Sequence, residues 1–355
     1  MVRMNIAVLV SGGVDSSVAL RLLKDQGHTL TAFYLKIWLE DELAYLGTCP
    51  WEEDLVYVRA VCEQAGVPLE IISLQKEYLD EVVSYTIAQI QAGNTPNPDI
   101  LCNQRIKFGA FYKKIGNAFD FVATGHYAQR IEKEGKVYLA TAPDAVKDQT
   151  YFLSHLTQEQ LKKALFPIGH LTKDQVRELA QQYDLPNKTR KDSQGICFLG
   201  KLKFSDFVRH HVGQKEGDLL EYETGKKLGI HQGFWYYTIG QRQGLGLAGG
   251  PWYVVAKDTK TNRVFISRQY YSQEKVRDTF IINACNWITE PPKTDTVQVK
   301  MRHGVKKYNG KLKLIEHGRY EVILDQNDQG IAPGQFAVLY DNNICLGSGV
   351  IEQGL

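Results

Sequence analysis

A short apolar run that leads straight into a glycine-rich turn constrains this chain more than any other feature. Residues 6–10 are Ile-Ala-Val-Leu-Val, which has the character of a fully buried strand, and residues 11–17 read Ser-Gly-Gly-Val-Asp-Ser-Ser. The residues that follow place Val18, Leu22 and Leu23 on one face of a helix. A strand that turns through glycines into a helix presents free backbone N–H groups at the positive end of the helix dipole. The stretch therefore predicts an anion cradle, whose usual occupant is a polyphosphate.

The turn lacks the lysine that a Walker-type loop requires. That motif reads Gly-x-x-x-x-Gly-Lys-[Ser/Thr], and no lysine stands at the corresponding place here. The turn instead resembles the SGGxDS loop of ATP pyrophosphatases, which split ATP between the α and β phosphates and adenylate their substrate. The alternative is an ordinary Gly-Ser turn between a strand and a helix.

Residues 1 to about 125 alternate between strand and helix patterns. Apolar runs at 29–37, 69–74 and 119–124 predict strands, and stretches at 51–64 and 78–91 predict helices. Such alternation is typical of a parallel sheet with helices on both faces, which binds ligands at the carboxyl ends of its strands. The predicted fold class is α/β, with a doubly wound ATP pyrophosphatase core of the adenine nucleotide alpha hydrolase type.

Helical patterns disappear beyond about residue 215. Short apolar runs between Gly and polar turns recur there, at 234–239, 252–256, 264–267, 297–300, 311–316, 320–324 and 337–340. Regularly spaced short strands of this kind predict small barrels or sandwiches. A chain of 355 residues is long for one core, so two or three domains are expected. We predict a catalytic domain at 1–199, a central β-rich domain at 200–274 and a C-terminal β-barrel at 275–355.

Composition excludes several classes of protein. A net charge of +2 means that any nucleic-acid contact must come from local patches. The six cysteines show neither Cys-x-x-Cys nor zinc spacing, so we expect reduced thiols and no tightly bound metal. No apolar run approaches the roughly 20 residues of a membrane span. The first strand begins too close to Met1 for a signal peptide, and a cytoplasmic location is therefore expected.

A proline-rich stretch at 94–103, Asn-Thr-Pro-Asn-Pro-Asp-Ile-Leu-Cys-Asn, carries the first candidate for chemistry. Its two prolines fix a rigid turn, and a helical pattern follows. Cys102 is thereby expected at or near a helix N-terminus, where the dipole favours thiolate over thiol. Asp99 on the same turn is a carboxylate able to move a proton beside that sulfur. The alternative is a proline loop with a buried structural cysteine.

A second candidate thiol is Cys197, in a polar, basic and glycine-bearing stretch that we predict to be a mobile loop. Lys188, Arg190 and Lys191 precede it, and an electropositive, accessible place suits a reactive thiolate. Its alternative is an apolar anchor, since Ile196 and Phe198 flank it. The other four cysteines are interpreted as packing residues.

Together these stretches resemble the bacterial and organellar tRNA 2-thiouridylases, which replace the C2 oxygen of the wobble uridine by sulfur. The resemblance runs nearly from end to end of the chain. It rests on the loop at 11–17 and on TPNPDILC at 95–102, ATGHY at 123–127, KDQTYFL at 147–153, DSQGICF at 192–198, TIGQRQGLG at 238–246, PWYV at 251–254 and PGQFA at 333–337.

The resemblance implies a role for each thiol. Cys197 would carry the sulfur as a persulfide that an upstream donor or relay protein supplies. Cys102 would be the nucleophile that assists, either by releasing sulfide with formation of a disulfide to Cys197 or by holding a covalent adduct. Asp99 would be the general acid/base.

The resemblance also implies the binding residues. ATP, used with Mg²⁺, would contact Leu9, Val10, Ser11, Gly12, Gly13, Val14, Asp15, Ser16, Leu35 and Gly125. The partner would be the anticodon arm of tRNA, with the target base at Asn97, Pro98 and Asp99 and further contacts at Lys147, Asp148, Gln149, Arg302 and His303. The basic run from Arg302 to Lys313 offers a natural phosphate-binding hairpin, and we expect no matching acids near it. The alternative is a solvated charged hairpin.

Two rival functions stay open at this point. One is another adenylating enzyme of the same loop class, which acts on a small carboxylate. Such an enzyme would need an ammonia source and would not need Cys102 or Cys197. The other is a tRNA-binding protein without catalysis on a decayed pyrophosphatase fold. The intact Asp15, Ser16 and Asp99 and the two thiols argue against it.

Overall fold

The computed structural model describes residues 2–37, 50–192, 204–269, 277–316 and 318–352. Five parallel strands form the first sheet, in the order β3-β2-β1-β4-β7. Their bounds are β1 Asn5–Leu9, β2 Thr29–Lys36, β3 Leu69–Ser73, β4 Phe121–Ala123 and β7 Ala164–Leu165. The order of the strands reverses between β1 and β4, and a doubly wound sheet binds its ligands at such a switch point. The predicted α/β core with a parallel sheet is confirmed.

Helices pack around this sheet. They are α1 Val14–Asp25, α2 Pro50–Ala65, α3 Gln75–Tyr78, α4 Ser84–Gln91, α5 Pro98–Leu101, α6 Phe111–Ile115, α7 Thr150–Leu153, α8 Gln158–Lys162, α9 Lys173–Gln182 and α10 Phe204–Val212. A π-helical stretch, Leu79–Val83, joins α3 to α4, and a second, Cys102–Ala110, joins α5 to α6. Because the π turns continue the backbone spiral, each set forms one helical rod.

A four-stranded sheet follows, in the order β10-β11-β8-β9. Its strands are β8 Gly217–Glu221, β9 Lys227–His231, β10 Tyr253–Asp258 and β11 Arg263–Ser267. The strand predicted at 234–239 is wrong, because residues Phe234–Tyr236 form one 3-10 turn. The His231 ring accepts the Gly233 N–H and the Asn262 side chain accepts the Phe234 N–H, so these donors do not enter a strand ladder.

The last sheet is a closed antiparallel barrel in the order β12-β15-β14-β13-β16-β17, with β12 paired to β17. Its strands are β12 Thr279–Trp287, β13 Thr296–Lys300, β14 Tyr308–Glu316, β15 Arg319–Leu324, β16 Phe336–Asp341 and β17 Ile344–Ile351. The strand runs predicted beyond residue 296 are confirmed. The hairpin of β5 Ala128–Lys133 and β6 Lys136–Thr141 extends this sheet, since β6 pairs with β17. It links the catalytic region directly to the barrel.

A buried ion pair reinforces this link. Lys300 at the end of β13 donates from Nζ to the Asp148 carboxylate at 3.0 Å, and the two side chains are only 3% and 2% exposed. The Asp148 carboxylate also accepts from the Ala142 N–H and the Thr150 hydroxyl. Asp148, the predicted tRNA contact, thus has its charge already held inside the protein.

We expect Lys300→Met to destabilise the fold by about 3–5 kcal/mol, because the Asp148 carboxylate would stay buried without its counter-charge. The measurement is the free energy of unfolding from urea denaturation. The control is the double variant Asp148→Asn with Lys300→Met, which removes both charges and should recover part of the loss. Equal stability of the wild type and the single variant would contradict the prediction.

Candidate active site

The glycine-rich turn joins β1 to α1 as the sequence predicted. Gly12 adopts a positive φ of 76°, and Gly13 is the extended residue that precedes α1, with φ −77° and ψ 156°. The hydroxyls of Ser16 and Ser17 donate to the Gly13 carbonyl at 3.1 and 3.0 Å. The Ser11 N–H donates to the Ser16 hydroxyl oxygen at 3.2 Å. These bonds fix the turn at the end of β1, where the N–H groups of the first turn of α1 are available to an anion.

Gly125, which follows β4, packs directly on this turn. A Cβ placed on Gly125 would lie 2.6 Å from the Ser16 nitrogen and 2.8 Å from the Asp15 carbonyl carbon. Both are backbone atoms of α1, so only a residue without a side chain fits here. The structure therefore brings Gly125 and the loop residues together, as the predicted ATP contacts require.

Residues near the C-terminal end of the described catalytic region also contact the turn. The Asn187 side chain donates from Nδ2 to the Gly12 carbonyl at 2.8 Å and to the Ser17 hydroxyl at 2.9 Å. Arg190 forms an ion pair with Asp54, with 2.5 Å between Nη2 and Oδ1. Its guanidinium also lies against Gly12, because a Cβ on Gly12 would be only 2.8 Å from Arg190 Nη1. Sequence analysis did not assign Asn187 to the site, and no spacing signal connects it to a turn 175 residues away.

A lysine does reach the turn, but from another helix. Lys173, the first residue of α9, lies with its Nζ 2.7 Å from Asp15 Oδ1 and 2.7 Å from Asp192 Oδ1. The Tyr127 hydroxyl donates to the same Asp15 oxygen at 2.8 Å. Burial, together with the neighbouring Asp15 charge, raises the pKa of Tyr127, so it remains a donor. The cation that the loop sequence lacks is thus supplied from 158 residues away.

Asp192 forms ion pairs with two further basic side chains besides Lys173. Lys147 lies 2.6 Å from its Oδ2, and Arg177 lies 2.5 Å from its Oδ1. Burial opposes ionisation of Asp192, but the hydrogen bonds from Lys147 and Lys173 outweigh it and lower its pKa to about 2. The site next to the turn is therefore a network of fixed charges. Asp192 opens the DSQGICF motif, whose other residues, with Cys197, lie outside the described part of the chain.

The proline-rich stretch forms the start of a helical rod. The Asn97 side chain caps α5 by accepting the Ile100 N–H at 3.3 Å, and Asp99 lies in the first turn. Cys102 follows α5 and is fully buried, and its N–H donates to carbonyls one turn earlier. The thiol therefore lies one turn inside the rod and not at its first N–H. It shares one apolar core with Leu9 of β1, against which Leu35 also packs.

Residues 147–149 and 302–303, which are predicted to contact tRNA away from the target base, lie next to each other in the structure. His303 Nε2 lies 3.2 Å from the Asp148 carbonyl oxygen, and its ring stacks on Phe152 with centroids 4.8 Å apart. Burial, only partly offset by this hydrogen bond, lowers the pKa of His303. Gln149 accepts the Tyr127 N–H with its side-chain oxygen at 3.0 Å. The structure thus joins 147–149 to 302–303, while their contact with RNA stays a prediction.

The expectation that no acids match the basic run is wrong. The carboxylate of Asp328, which is 5% exposed, accepts hydrogen bonds from both Nη atoms of Arg302, at 3.2 and 2.6 Å. A carboxylate oxygen of Glu321 lies 3.9 Å from Lys313 Nζ. Strand pairing of β14 with β15 places Glu321 beside Lys313. Acids far away in the sequence are thus close in the barrel, which spacing within one run could not indicate.

Among the described residues, no group of three or more His, Cys, Asp or Glu side chains could hold a metal ion. Within that same part of the chain, none of the helices combines the length and apolar character needed to cross a bilayer.

Comparison with known proteins gives consistent matches over the whole chain. Residues 4–201 match the family described as the tRNA methyl transferase HUP domain, residues 205–268 the tRNA methyl transferase PRC-barrel domain, and residues 277–351 the aminomethyltransferase beta-barrel domain. A tRNA-specific 2-thiouridylase of Bacteroides thetaiotaomicron is 48% identical over 99% of this chain and 100% of its own length. Relatives of the same name from Parabacteroides distasonis and Porphyromonas gingivalis are 47% and 46% identical, over 98% and 99% of this chain and 99% and 100% of their own lengths.

Proposed function

The chain belongs to the tRNA-specific 2-thiouridylase family, and we propose that it adenylates the C2 oxygen of the wobble uridine of tRNA with ATP and then replaces that oxygen by sulfur. The observation that carries the proposal is the lysine-free phosphate turn after β1, whose strand shares one core with the buried thiol of Cys102. An adenylating loop and a thiol are the two components that this reaction needs.

The first step answers a chemical difficulty. The C2 carbonyl of uracil is a poor electrophile, so sulfur does not displace its oxygen directly. Attack of that oxygen on the α phosphate of ATP forms an O–P bond, releases pyrophosphate and makes AMP the later leaving group. The HUP domain fits ATP binding. The N–H groups of the turn would hold the phosphates, while backbone at Leu35 and Gly125 would contact the nucleotide.

Charge around the turn would serve the same step. Lys173 lies beside Asp15 and can balance negative charge that develops on the departing pyrophosphate. The Asp15 carboxylate is of the oxygen-ligand type that Mg²⁺ prefers, and the Mg²⁺ that accompanies ATP would withdraw charge from the phosphates. The backbone contacts at Gly12 and Gly125 leave the turn little freedom to move, which suits a preorganised phosphate site.

The second step moves sulfur. Cys197 would carry it as a persulfide received from a donor or relay protein. Cys102 would attack the sulfur atom of Cys197, so that a disulfide forms, sulfide leaves and displaces AMP from C2. Alternatively, the persulfide would first attack C2 and displace AMP. Cys102 would then attack the Cys197 sulfur of this adduct, so that the Cys102–Cys197 disulfide forms and the outer sulfur stays on C2. In both routes the two electrons that reduce the persulfide come from the thiol pair. Asp99 would move the accompanying proton.

The tRNA would lie over the seam between the catalytic region and the barrel, with the target base at Asn97, Pro98 and Asp99. Lys147 and Arg302 remain 35% and 52% exposed there, so each can still meet a phosphate. A cleft of about 510 Å³ opens beside Arg302 and is also lined by Thr238, Gln241, Lys306 and Gln335. We place the reaction in the cytoplasm, where reduced thiols persist.

The test is a reconstituted reaction of the full chain with unmodified tRNA, ATP and a persulfide donor, followed by mass analysis of the nucleosides. The proposal expects 2-thiouridine, recognised by sulfur in place of oxygen, and AMP and pyrophosphate released with it. A gain of a methyl group would instead support the transfer named in the matching domain descriptions. Pyrophosphate exchange without tRNA would favour another adenylating ligase, and tRNA binding without ATP use would favour a protein without catalysis.

A further inference from the structure

The segment between α4 and α5 is the place where three parts of the protein meet. It begins at Gly93 and runs to Asn97, which caps the helix that carries Asp99. α4 ends here in a Schellman arrangement, in which the Gly93 N–H donates to the Ile90 carbonyl and the Asn94 N–H to the Gln89 carbonyl. Gly93 has the positive φ of 86° that this ending requires. The Gly93 carbonyl is the first one beyond the helix, so its partner must come from elsewhere.

That partner is a lysine of the middle sheet. Lys257 on β10 donates from Nζ to the Gly93 carbonyl at 2.5 Å and to the Tyr237 carbonyl at 3.0 Å. A cation at this position is also favoured by the negative end of the α4 dipole. Burial lowers the pKa of Lys257 to about 8, because the ammonium form loses hydration inside the interface.

The middle sheet and the barrel hold the same segment by further contacts. A Cβ on Gly93 would lie 2.4 Å from the Thr259 methyl carbon, in the turn after β10. The Thr95 N–H donates to the Pro333 carbonyl of the barrel at 2.7 Å, and the Thr95 hydroxyl lies 3.5 Å from that of Thr238. The entry to the loop is therefore held from outside the catalytic domain, and Lys257 supplies the charged contact.

We propose that Lys257 is a positioning residue, which acts through the Gly93 carbonyl so that the middle domain fixes the segment that leads through Asn97 into the helical rod of Asp99 and Cys102. This inference rests on the proposed function, because its readout is thiolation. The middle domain then has a task in the reaction, although none of the predicted tRNA contacts lies in it. It keeps the target base and Cys102 in a fixed position relative to each other. Displacement of reacting groups by about 1 Å can cost on the order of a hundredfold in rate.

The experiment compares Lys257→Met, which keeps length but cannot donate, with Lys257→Arg, which can still donate to both carbonyls. Lys260→Met is the matched control, since Lys260 is exposed in the turn that follows β10. For each variant we measure kcat for thiolation at saturating ATP and tRNA, the KM for ATP, the Kd for tRNA and the melting temperature.

The Met variant is expected to lose roughly ten- to a hundredfold in kcat, with the KM for ATP and the Kd for tRNA within about twofold of wild type. The Arg variant should recover part of kcat, and Lys260→Met should match wild type. A kcat within twofold of wild type for Lys257→Met would overturn the proposal. So would a kcat loss that comes with a matching loss of ATP and tRNA affinity, because that pattern indicates a merely structural role.

Two further outcomes are separable. If Lys257→Met does not fold, Lys257→Leu, which likewise cannot donate, is judged by the same criteria. If the wild-type chain forms no 2-thiouridine, the proposed function fails and not the role of Lys257. In that case, the kcat for tRNA-dependent pyrophosphate release, which requires the target base to be in place, replaces the kcat for thiolation with the same expected and contrary results.

Discussion

Replacement of Cys102 by serine is expected to abolish 2-thiouridine formation while adenylation of tRNA continues. A serine hydroxyl has nearly the size of the thiol but cannot attack a sulfur atom to form a disulfide. Cys102 belongs to the rod that follows α5, whereas ATP is proposed to bind at the turn before α1. Activation and sulfur transfer should therefore separate in this variant. The measurements are nucleoside mass analysis for product and pyrophosphate release for activation.

Cys62→Ser is the matched control for this experiment. Cys62 is also buried, lies on α2 in the core of the catalytic region and has a pKa raised to about 11 by burial, which makes it an inert thiol. Both changes place a hydroxyl in an apolar core, so both should cost comparable stability. Only Cys102→Ser should lose product. Product formation by Cys102→Ser, or an equal loss in Cys62→Ser, would show that Cys102 is a packing residue.

Local patterns in the sequence were sufficient for the elements that position the turn. An apolar run, two glycines and a helical face follow one another within residues 6–23, so strand, turn and helix can be inferred without knowledge of the rest of the chain. The cap of α5 has an equally local cause in the adjacent Asn97 and Pro98, but the helix was predicted to begin near Cys102, one turn later than it does. In these places the physical cause and the residues that carry it lie within one or two turns of each other.

Contacts between distant parts of the chain could not be predicted in this way. Lys173 follows a capping box of Thr172 and Gln175, which explains why a helix begins here but not which residue the lysine contacts. Its partners Asp15 and Asp192 are set by how α9 packs on α1. The pair of Asp148 with Lys300 depends likewise on the joining of β6 to β17. A single sequence carries no periodic signal for such pairs.

The cation beside the turn comes from α9 and not from the turn itself. A lysine that follows the glycines would reach the terminal phosphate, whereas Lys173 approaches Asp15 from the side of α9 and is itself fixed by Asp192. A cation held between two carboxylates cannot swing freely, so its position is set before a substrate arrives. This geometry suits a reaction in which pyrophosphate departs as one unit and the α phosphate stays with the substrate.

Replacement of Gly125 by alanine is expected to reduce kcat/KM for ATP by about a hundredfold. The added Cβ would lie 2.6 Å from the Ser16 nitrogen, 2.8 Å from the Asp15 carbonyl carbon and 2.9 Å from the Ser16 Cα. These are backbone atoms of the first turn of α1, which cannot rotate aside as a side chain would. The start of α1 must therefore move away from β4 by several tenths of an ångström, and the N–H groups proposed to hold the phosphates move with it.

Gly229→Ala is the matched control, because a Cβ at Gly229 in β9 would lie 3.5 Å from a methyl group of Leu247 and 3.7 Å from one of Leu219, both ordinary contact distances. The same chemical change there should leave ATP use within about twofold of wild type. The Kd for tRNA should stay unchanged in both variants, since the seam with Lys147 and Arg302 lies outside the turn. ATP kinetics and tRNA binding are measured on the same preparations. Wild-type ATP use by Gly125→Ala would place the nucleotide elsewhere, because no bound phosphate tolerates a displaced cradle without loss of affinity.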